Sequence, residues 1–178
     1  MKLIVKDNVN CIVLRTAEII DAQVLLSWWN DGKVMAHAGF TKGLNTSLDN
    51  VLKNICSNDE FRELLIIELN DNPIGEMSYT IASNVAEIGI KICDHAQQDN
   101  GIGFLAIRTL IEYLFDKKCS KIVLDTNILN KRAQHVYEKI GFKKVRIKEN
   151  CFKNDLGVYQ TAIDYELLKA DYNRKELS

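Results

Sequence analysis

The chain has 178 residues, 47% of them hydrophobic and 26% charged, a balance that fits one folded domain with its own core and excludes a disordered chain. The formal net charge is -1 at pH 7 and no lysine/arginine block occurs, so the electrostatic footprint of a nucleic-acid binder is missing. One proline and no Gly-rich or Ser-rich linker make residues 1–178 read as a single domain. The start meets Asp7 before a signal-length apolar run develops, and no stretch of about 20 apolar residues is present to span a membrane. A soluble, cytoplasmic protein with neither a membrane nor a nucleic-acid partner is expected. The five cysteines are scattered without a Cys-x-x-Cys spacing, which indicates reduced thiols. His37, His95 and His135 show no metal-ligand spacing, and no metal is expected.

In chain order, Cys11–Arg15 (CIVLR) is a short β-rich run. Ile20, Val24 and Trp28 then recur four residues apart, the spacing of a helical face, and the Asn-Asp-Gly sequence at residues 30–32 should stop that helix. Leu48, Val51, Leu52 and Ile55 share one face of a second helix, capped by Thr46 or Ser47. The period then changes. Leu64–Leu69 and Ile74–Ile81 are strands around the turn residues Asn70–Pro73, and Val85–Cys93 is a third. Along that third strand Ile88, Ile90 and Ile92 fall on one face, with Glu87, Gly89 and Lys91 on the other. A helix over about Gly103–Lys117, a short strand Lys121–Asp125, and a helix ending at Gly141 follow. Strands at Lys143–Lys148 and Val158–Leu167 close the pattern, and the polar tail Asp171–Ser178 is expected to fray. The sum is an α+β fold with a mixed, mostly antiparallel central sheet of about seven strands flanked by helices.

The segment Gln98-Asp99-Asn100-Gly101-Ile102-Gly103 lies between a strand and a long amphipathic helix. Free N–H groups and the positive dipole end at a helix N-terminus bind phosphate, and glycine lets the backbone approach it. By itself Gly-x-Gly before a helix is often only a tight turn. A dinucleotide fingerprint is disfavoured, because that motif follows the first strand of a parallel unit and an antiparallel meander stands here instead.

With that loop, two further segments carry a resemblance. Gln98, Gly101 and Gly103 match the Gln/Arg-x-x-Gly-x-Gly/Ala loop of the GNAT superfamily of N-acetyltransferases. Asn130-Lys131-Arg132-Ala133 and Tyr137-Glu138-Lys139-Ile140-Gly141-Phe142 match its Asn-x-x-Ala and Tyr-Glu-Lys-x-Gly-Phe segments. Residues 14–31 resemble the first strand and helix of the branch holding ribosomal-protein N-terminal acetyltransferases and some aminoglycoside 6'-acetyltransferases. Asp99 and Asn100 depart from the small or basic residues common there, and Asp99 would repel a pyrophosphate unless its side chain turns to solvent.

The resemblance implies an acyl-CoA acyltransferase fold and acetyl-CoA as co-substrate. It implies a pyrophosphate on residues 98–103, a pantetheine arm on the backbone of Ile90, Lys91 and Ile92 between splayed strands, and a cofactor contact from Asn130. Asparagine at that position equally suits a helix cap. Tyr137 is implied as general acid, since a phenol stays protonated at neutral pH, although it also lies on an apolar helix face. Glu87 is the first candidate base and Glu76 the second, the latter alternatively binding a cationic acceptor. Trp29 is a candidate wall of the acceptor site, with Trp28 read as core and His37 in the same region. The acceptor is expected to be the primary amine of a small molecule. A protein N-terminal amine is the alternative, and a catalytically inactive CoA-binding sensor the alternative from outside the enzymes. Many GNAT members dimerise, and edge strands offer a route to a homodimer.

Overall fold

The computed structural model describes residues 1–6 and 11–172. Its strands are β1 (Lys2–Lys6), β2 (Cys11–Thr16), β3 (Arg62–Leu69), β4 (Asn72–Ala82), β5 (Val85–Ile92), β6 (Lys121–Asn127), β7 (Lys143–Lys153) and β8 (Tyr159–Leu168). Its helices are α1 (Ala22–Trp29), α2 (Gly32–Met35), α3 (Leu48–Cys56), α4 (Ile102–Asp116) and α5 (Lys131–Ile140). Among the described residues the strands form one sheet, in the order β1-β2-β3-β4-β5-β6-β8-β7. Every neighbouring pair is antiparallel except β5 and β6.

Two helical layers bury the two sheet faces. The fully buried side of α4, with Ile107, Leu110, Ile111 and Leu114, packs on Leu65, Met77, Tyr79, Ile88 and Ile122. Tyr137 and Ile140 of α5 extend that core. On the opposite face Leu25 of α1 and Val51 and Ile55 of α3 enclose Ile66 of β3. Alternation along β3 and β4 makes this possible, because successive side chains leave a strand on opposite sides. Ser47 is the α3 cap, its hydroxyl accepting from Asn50 N–H at 3.3 Å.

The parallel pair is the irregular place. β5 and β6 are joined only at Val85–Lys121, Ala86–Ile122 and Glu87–Val123. Beyond Glu87, β5 keeps β4 as a partner, while β6 continues alongside β8. Alternate backbone groups along Ile88–Ile92 therefore have no strand to pair with on that side.

The sheet has one strand more than the sequence pattern predicts. β1 is a short edge strand with charged ends, and it pairs only with β2. The Ile20–Val24–Trp28 stripe is corrected. Ile19 and Ile20 are 68% and 83% exposed, and α1 starts only at Ala22 after a single turn of 3-10 helix. Asp21 sets that break, because its carboxylate accepts from Arg15 Nη1 at 2.6 Å and Nη2 at 2.8 Å. Pro73 falls inside β4, opposite a bulge at Glu68, where the ladder shifts register. The cysteines described are free thiols. No helix among the described residues is long and apolar enough to cross a membrane. Of the tail expected to fray, residues 173–178 lie outside the described residues.

Arg15 also donates to Glu68 at 2.7 Å, so one guanidinium ties α1 to β2 and β3. Burial works against the Asp21 carboxylate, but Arg15 and the Glu18 amide outweigh it and hold its pKa below the ordinary range. A depressed folded pKa gives stability that is complete above the unfolded value of about 4 and is lost as pH falls below it. Asp21→Asn should therefore lower unfolding free energy by about 1.5–3 kcal/mol at pH 7. The deficit should shrink as pH falls below about 4. Urea denaturation of both proteins across that range measures it.

Candidate active site

The parting of β5 and β6 opens a cavity of about 1020 Å³, roomy even for a small-molecule site. It is lined from both sides of the sheet, by Ile88, Ile90 and Ile92 and by Glu87, Gly89 and Lys91. Gln97–Asp99, Gly101, Gly103, Phe104 and α5 wall one end, Asn100 and Ile102 being off the lining, and His37 and Ala38 reach it from the region after α2.

At the α4 end, Gly101 is the N-cap residue in the left-handed region, φ 76°, and no side chain caps the helix. A Cβ there would meet nothing within 4 Å, so glycine serves the backbone conformation and leaves the approach open. The first-turn amides of a 15-residue helix are thus available. Gln98 is a strut: its Nε2 donates to Ile92 O at 2.8 Å and its Oε1 accepts from Arg132 at 2.8 Å. The Ile102 side chain is buried at 3% exposure, so only its backbone is available to a ligand. Asn100 is exposed and its side chain donates back to Ala96 O. Asp99 pairs with Arg132 at 3.4 Å, its side chain 72% exposed. Its charge is thus turned outward and countered, a role for Arg132 that the sequence motif left unassigned.

Asn130 caps α5, its Oδ1 accepting from Ala133 N–H at 3.2 Å, and it lines the cavity as well. Tyr137, 6% exposed, packs edge-on against Tyr165 at 5.6 Å and tilted against Phe142 at 6.0 Å. Both readings of this tyrosine therefore coexist, since its ring belongs to the core and also borders the cavity. Burial, with the Asp125 carboxylate adding to it, pushes its phenol up to about 12.

The acceptor-face residues sort by their partners. Glu76 is 5% exposed; Lys91 Nζ donates to its Oε1 at 2.7 Å and Trp29 Nε1 to its Oε2 at 2.7 Å. Trp29 packs against the α1–α3 core. Neither residue lines the cavity, which corrects Trp29 as an acceptor wall and Glu76 as an acceptor-binding group: with Lys91 they form one partly buried unit. Glu76 is also unsuited as a base while both oxygens are engaged. Of the carboxylates that do line the cavity, Asp99 is paired with Arg132 and Asp125 with Lys148 at 3.1 Å. Glu87 alone has no hydrogen-bond or ion-pair partner among the described residues.

The model of the acetyltransferase (GNAT) domain matches residues 12–143. The chain belongs to this family of acetyltransferases. Among solved structures, the spermidine N-acetyltransferase from Vibrio cholerae in complex with CoA and spermine superposes with a TM-score of 0.80 at 24% identity. That match covers 90% of this chain and 97% of that one. The ribosomal-protein-alanine N-acetyltransferase from Brucella melitensis gives a TM-score of 0.75 at 17% identity, covering 87% and 98%. These two likenesses are likenesses of fold. N-alpha-acetyltransferase 30 of Dictyostelium discoideum is 32% identical over 59 residues, so the chain spans about a third of that relative's length.

The Trp29–Glu76–Lys91 unit is centred on a buried carboxylate. Glu76→Gln keeps the shape but leaves an ammonium beside a neutral amide, and should cost about 1.5–3 kcal/mol of stability. Its tryptophan emission should shift as the Trp29 indole loses a charged acceptor. Urea unfolding followed by fluorescence reads both quantities.

Proposed function

We propose that the chain moves an acetyl group from acetyl-CoA to the primary amine of a small molecule that docks against Glu87. The carrying observation is that Glu87, where β5 and β6 part, is the one cavity carboxylate without a partner among the described residues. An unpaired carboxylate attracts an ammonium and can take its proton; a paired one has that capacity already committed. The V. cholerae relative crystallised with a polyamine and CoA supports the same choice of acceptor. The ribosomal-protein-alanine relative supports the second reading, a peptide N-terminus.

The parts divide the work as follows. Acetyl-CoA supplies the activated acetyl as a thioester. The first-turn amides of α4, with glycine at 101, hold its pyrophosphate, and the backbone edge along Ile90–Ile92, which has no strand partner on that side, takes the pantetheine arm. Glu87 accepts a proton from the amine, directly or through one water, so that the nitrogen lone pair can attack the acetyl carbon. Backbone N–H groups on that open edge of β5 face the charge that builds on the carbonyl oxygen. Tyr137 donates a hydrogen bond to the sulfur as the carbon–sulfur bond breaks. A thiol is a stronger acid than a phenol, and burial raises this phenol further, so full transfer of the phenolic proton is uphill. Tyr137 steadies the thiolate, and solvent completes its protonation.

The test is acetyl-CoA turnover over a panel of spermine, an aminoglycoside and an alanine-initial peptide, with CoA binding followed in parallel. Tyr137→Phe should lower kcat by about 10²-fold and leave CoA affinity unchanged. Glu87→Gln should raise the amine KM about tenfold and leave CoA affinity unchanged. Turnover of the peptide alone would select the N-terminal reading. CoA binding without turnover of any amine would select the sensor.

Asp99 and Arg132 make a separate expectation for the donor end. If Arg132 serves to counter Asp99, Arg132→Ala should weaken CoA binding about tenfold, and adding Asp99→Ala should restore most of it. Calorimetric titration of wild type, both single variants and the double variant closes that cycle. Equal affinities for Arg132→Ala and the double variant would show that Arg132 acts on the ligand alone.

A further inference from the structure

The acceptor side of the cavity rests on a segment with very little core of its own. Between Asp31 and Gly43 only Met35 and Gly39 are buried, yet this stretch brings His37 and Ala38 to the cavity. Its base is pinned by Asn30, whose Nδ2 donates to Thr46 O at 3.0 Å and whose Oδ1 accepts from Thr46 N–H at 2.7 Å. Its far end is held by a residue more than a hundred positions away. Asp155, in the turn between β7 and β8, accepts from Thr41 Oγ1 at 2.9 Å through one oxygen and from Lys42 N–H at 2.9 Å through the other. The Asp155 N–H donates to Gly39 O at 3.0 Å. Phe152 sits over Gly39, φ 92°, where a Cβ would come within 2.7 Å of the ring.

The β7–β8 turn does not need the Asp155 side chain for its own shape. Asn154 Oδ1 accepts from Leu156 N–H at 3.1 Å and Val158 N–H at 2.8 Å, and Asn154 N–H pairs with Val158 O at 3.0 Å. Both Asp155 carboxylate oxygens are therefore spent on residues 41 and 42. We infer that Asp155 is a positioning residue that clasps residues 39–42 to the β7–β8 turn and so sets the acceptor side of the cavity. It acts through His37 and Ala38 and not on the reacting atoms. The inference rests on the proposed function and adds to it that the amine enters past residues 36–38.

The experiment compares wild type, Asp155→Ala, Asp155→Asn and Thr41→Val. Steady-state kinetics use whichever of spermine, the aminoglycoside or the alanine-initial peptide the wild type acetylates. Calorimetry measures CoA affinity, and hydrogen–deuterium exchange follows peptides covering 36–43 and 152–158. Asp155→Ala should raise the amine KM about tenfold, with kcat within about twofold and CoA affinity unchanged. Asp155→Asn and Thr41→Val, each keeping one of the two side-chain bonds, should raise it about threefold. Exchange at 36–43 should quicken in Asp155→Ala while 152–158 keeps its protection. Unchanged KM with unchanged exchange overturns the clasp, as does a parallel loss of kcat and CoA affinity, which would mark a general structural role. If the wild type acetylates neither spermine nor the peptide nor the aminoglycoside, the proposed function fails, and exchange at 36–43 alone decides the clasp.

Discussion

Everything at this site depends on how briefly β5 and β6 are paired. Three residue pairs, ending at Glu87–Val123, join them, and α4 fills the chain between them. Had the ladder continued, Ile88–Ile92 would have spent their backbone groups on β6 and the sheet would be closed. Because it stops, the sheet has an opening lined from both faces, with Tyr137 and the start of α4 on one side and Glu87 and Lys91 on the other. Two substrates can then meet from opposite sides of one sheet. The cost of ending the ladder is contained because β4 still pairs along all of β5, and β8 along all of β6.

Charge on that surface is arranged by pairing. Lys91 is held by Glu76, Asp125 by Lys148, and Lys148 is shared with Asp164 at 2.6 Å. Asp99 is countered by Arg132. A buried pair is expensive to break from one side, because the remaining charge is left uncompensated; Glu76, at 5% exposure, is in that position. The pairs therefore fix geometry more than they offer reactive groups. Glu87 is the exception among the cavity carboxylates of the described residues, and its exposure singles it out as a place for an incoming ammonium.

The helix-end loop that walls the cavity was readable in the sequence because it is local. Gln98–Gly103 and the helix behind it are contiguous, and strand alternation alone separates Ile88, Ile90 and Ile92 from Glu87, Gly89 and Lys91. The acceptor half was not, and the reason is distance along the chain. No periodicity links Trp29 to Glu76, or Asp155 to Thr41, because each contact joins residues 47 or 114 positions apart. The same cause misplaced the first helix face. Four-residue spacing favoured Ile20, but Arg15, from the preceding strand, holds Asp21 and starts α1 later. β1 escaped notice for another reason: five residues with lysine at both ends carry too little hydrophobic pattern to stand out from a solvated terminus.

This asymmetry between the halves has a physical consequence. The donor end is built from a 15-residue helix and a strand whose inward side chains lie in the main core, so its geometry is fixed by many contacts and changes little with any one of them. The acceptor end hangs on a segment with two buried residues, pinned by Asn30 at one end and Asp155 at the other. Substitutions there alter the shape of the cavity without a large penalty to the fold, since the bonds lost are few and near solvent. A sheet that keeps one activated donor and varies its amine would have this construction: a rigid cradle for the part common to every turnover, and a clasped, adjustable wall for the part that differs. Asp155 then sits at the junction where fold stability gives way to specificity.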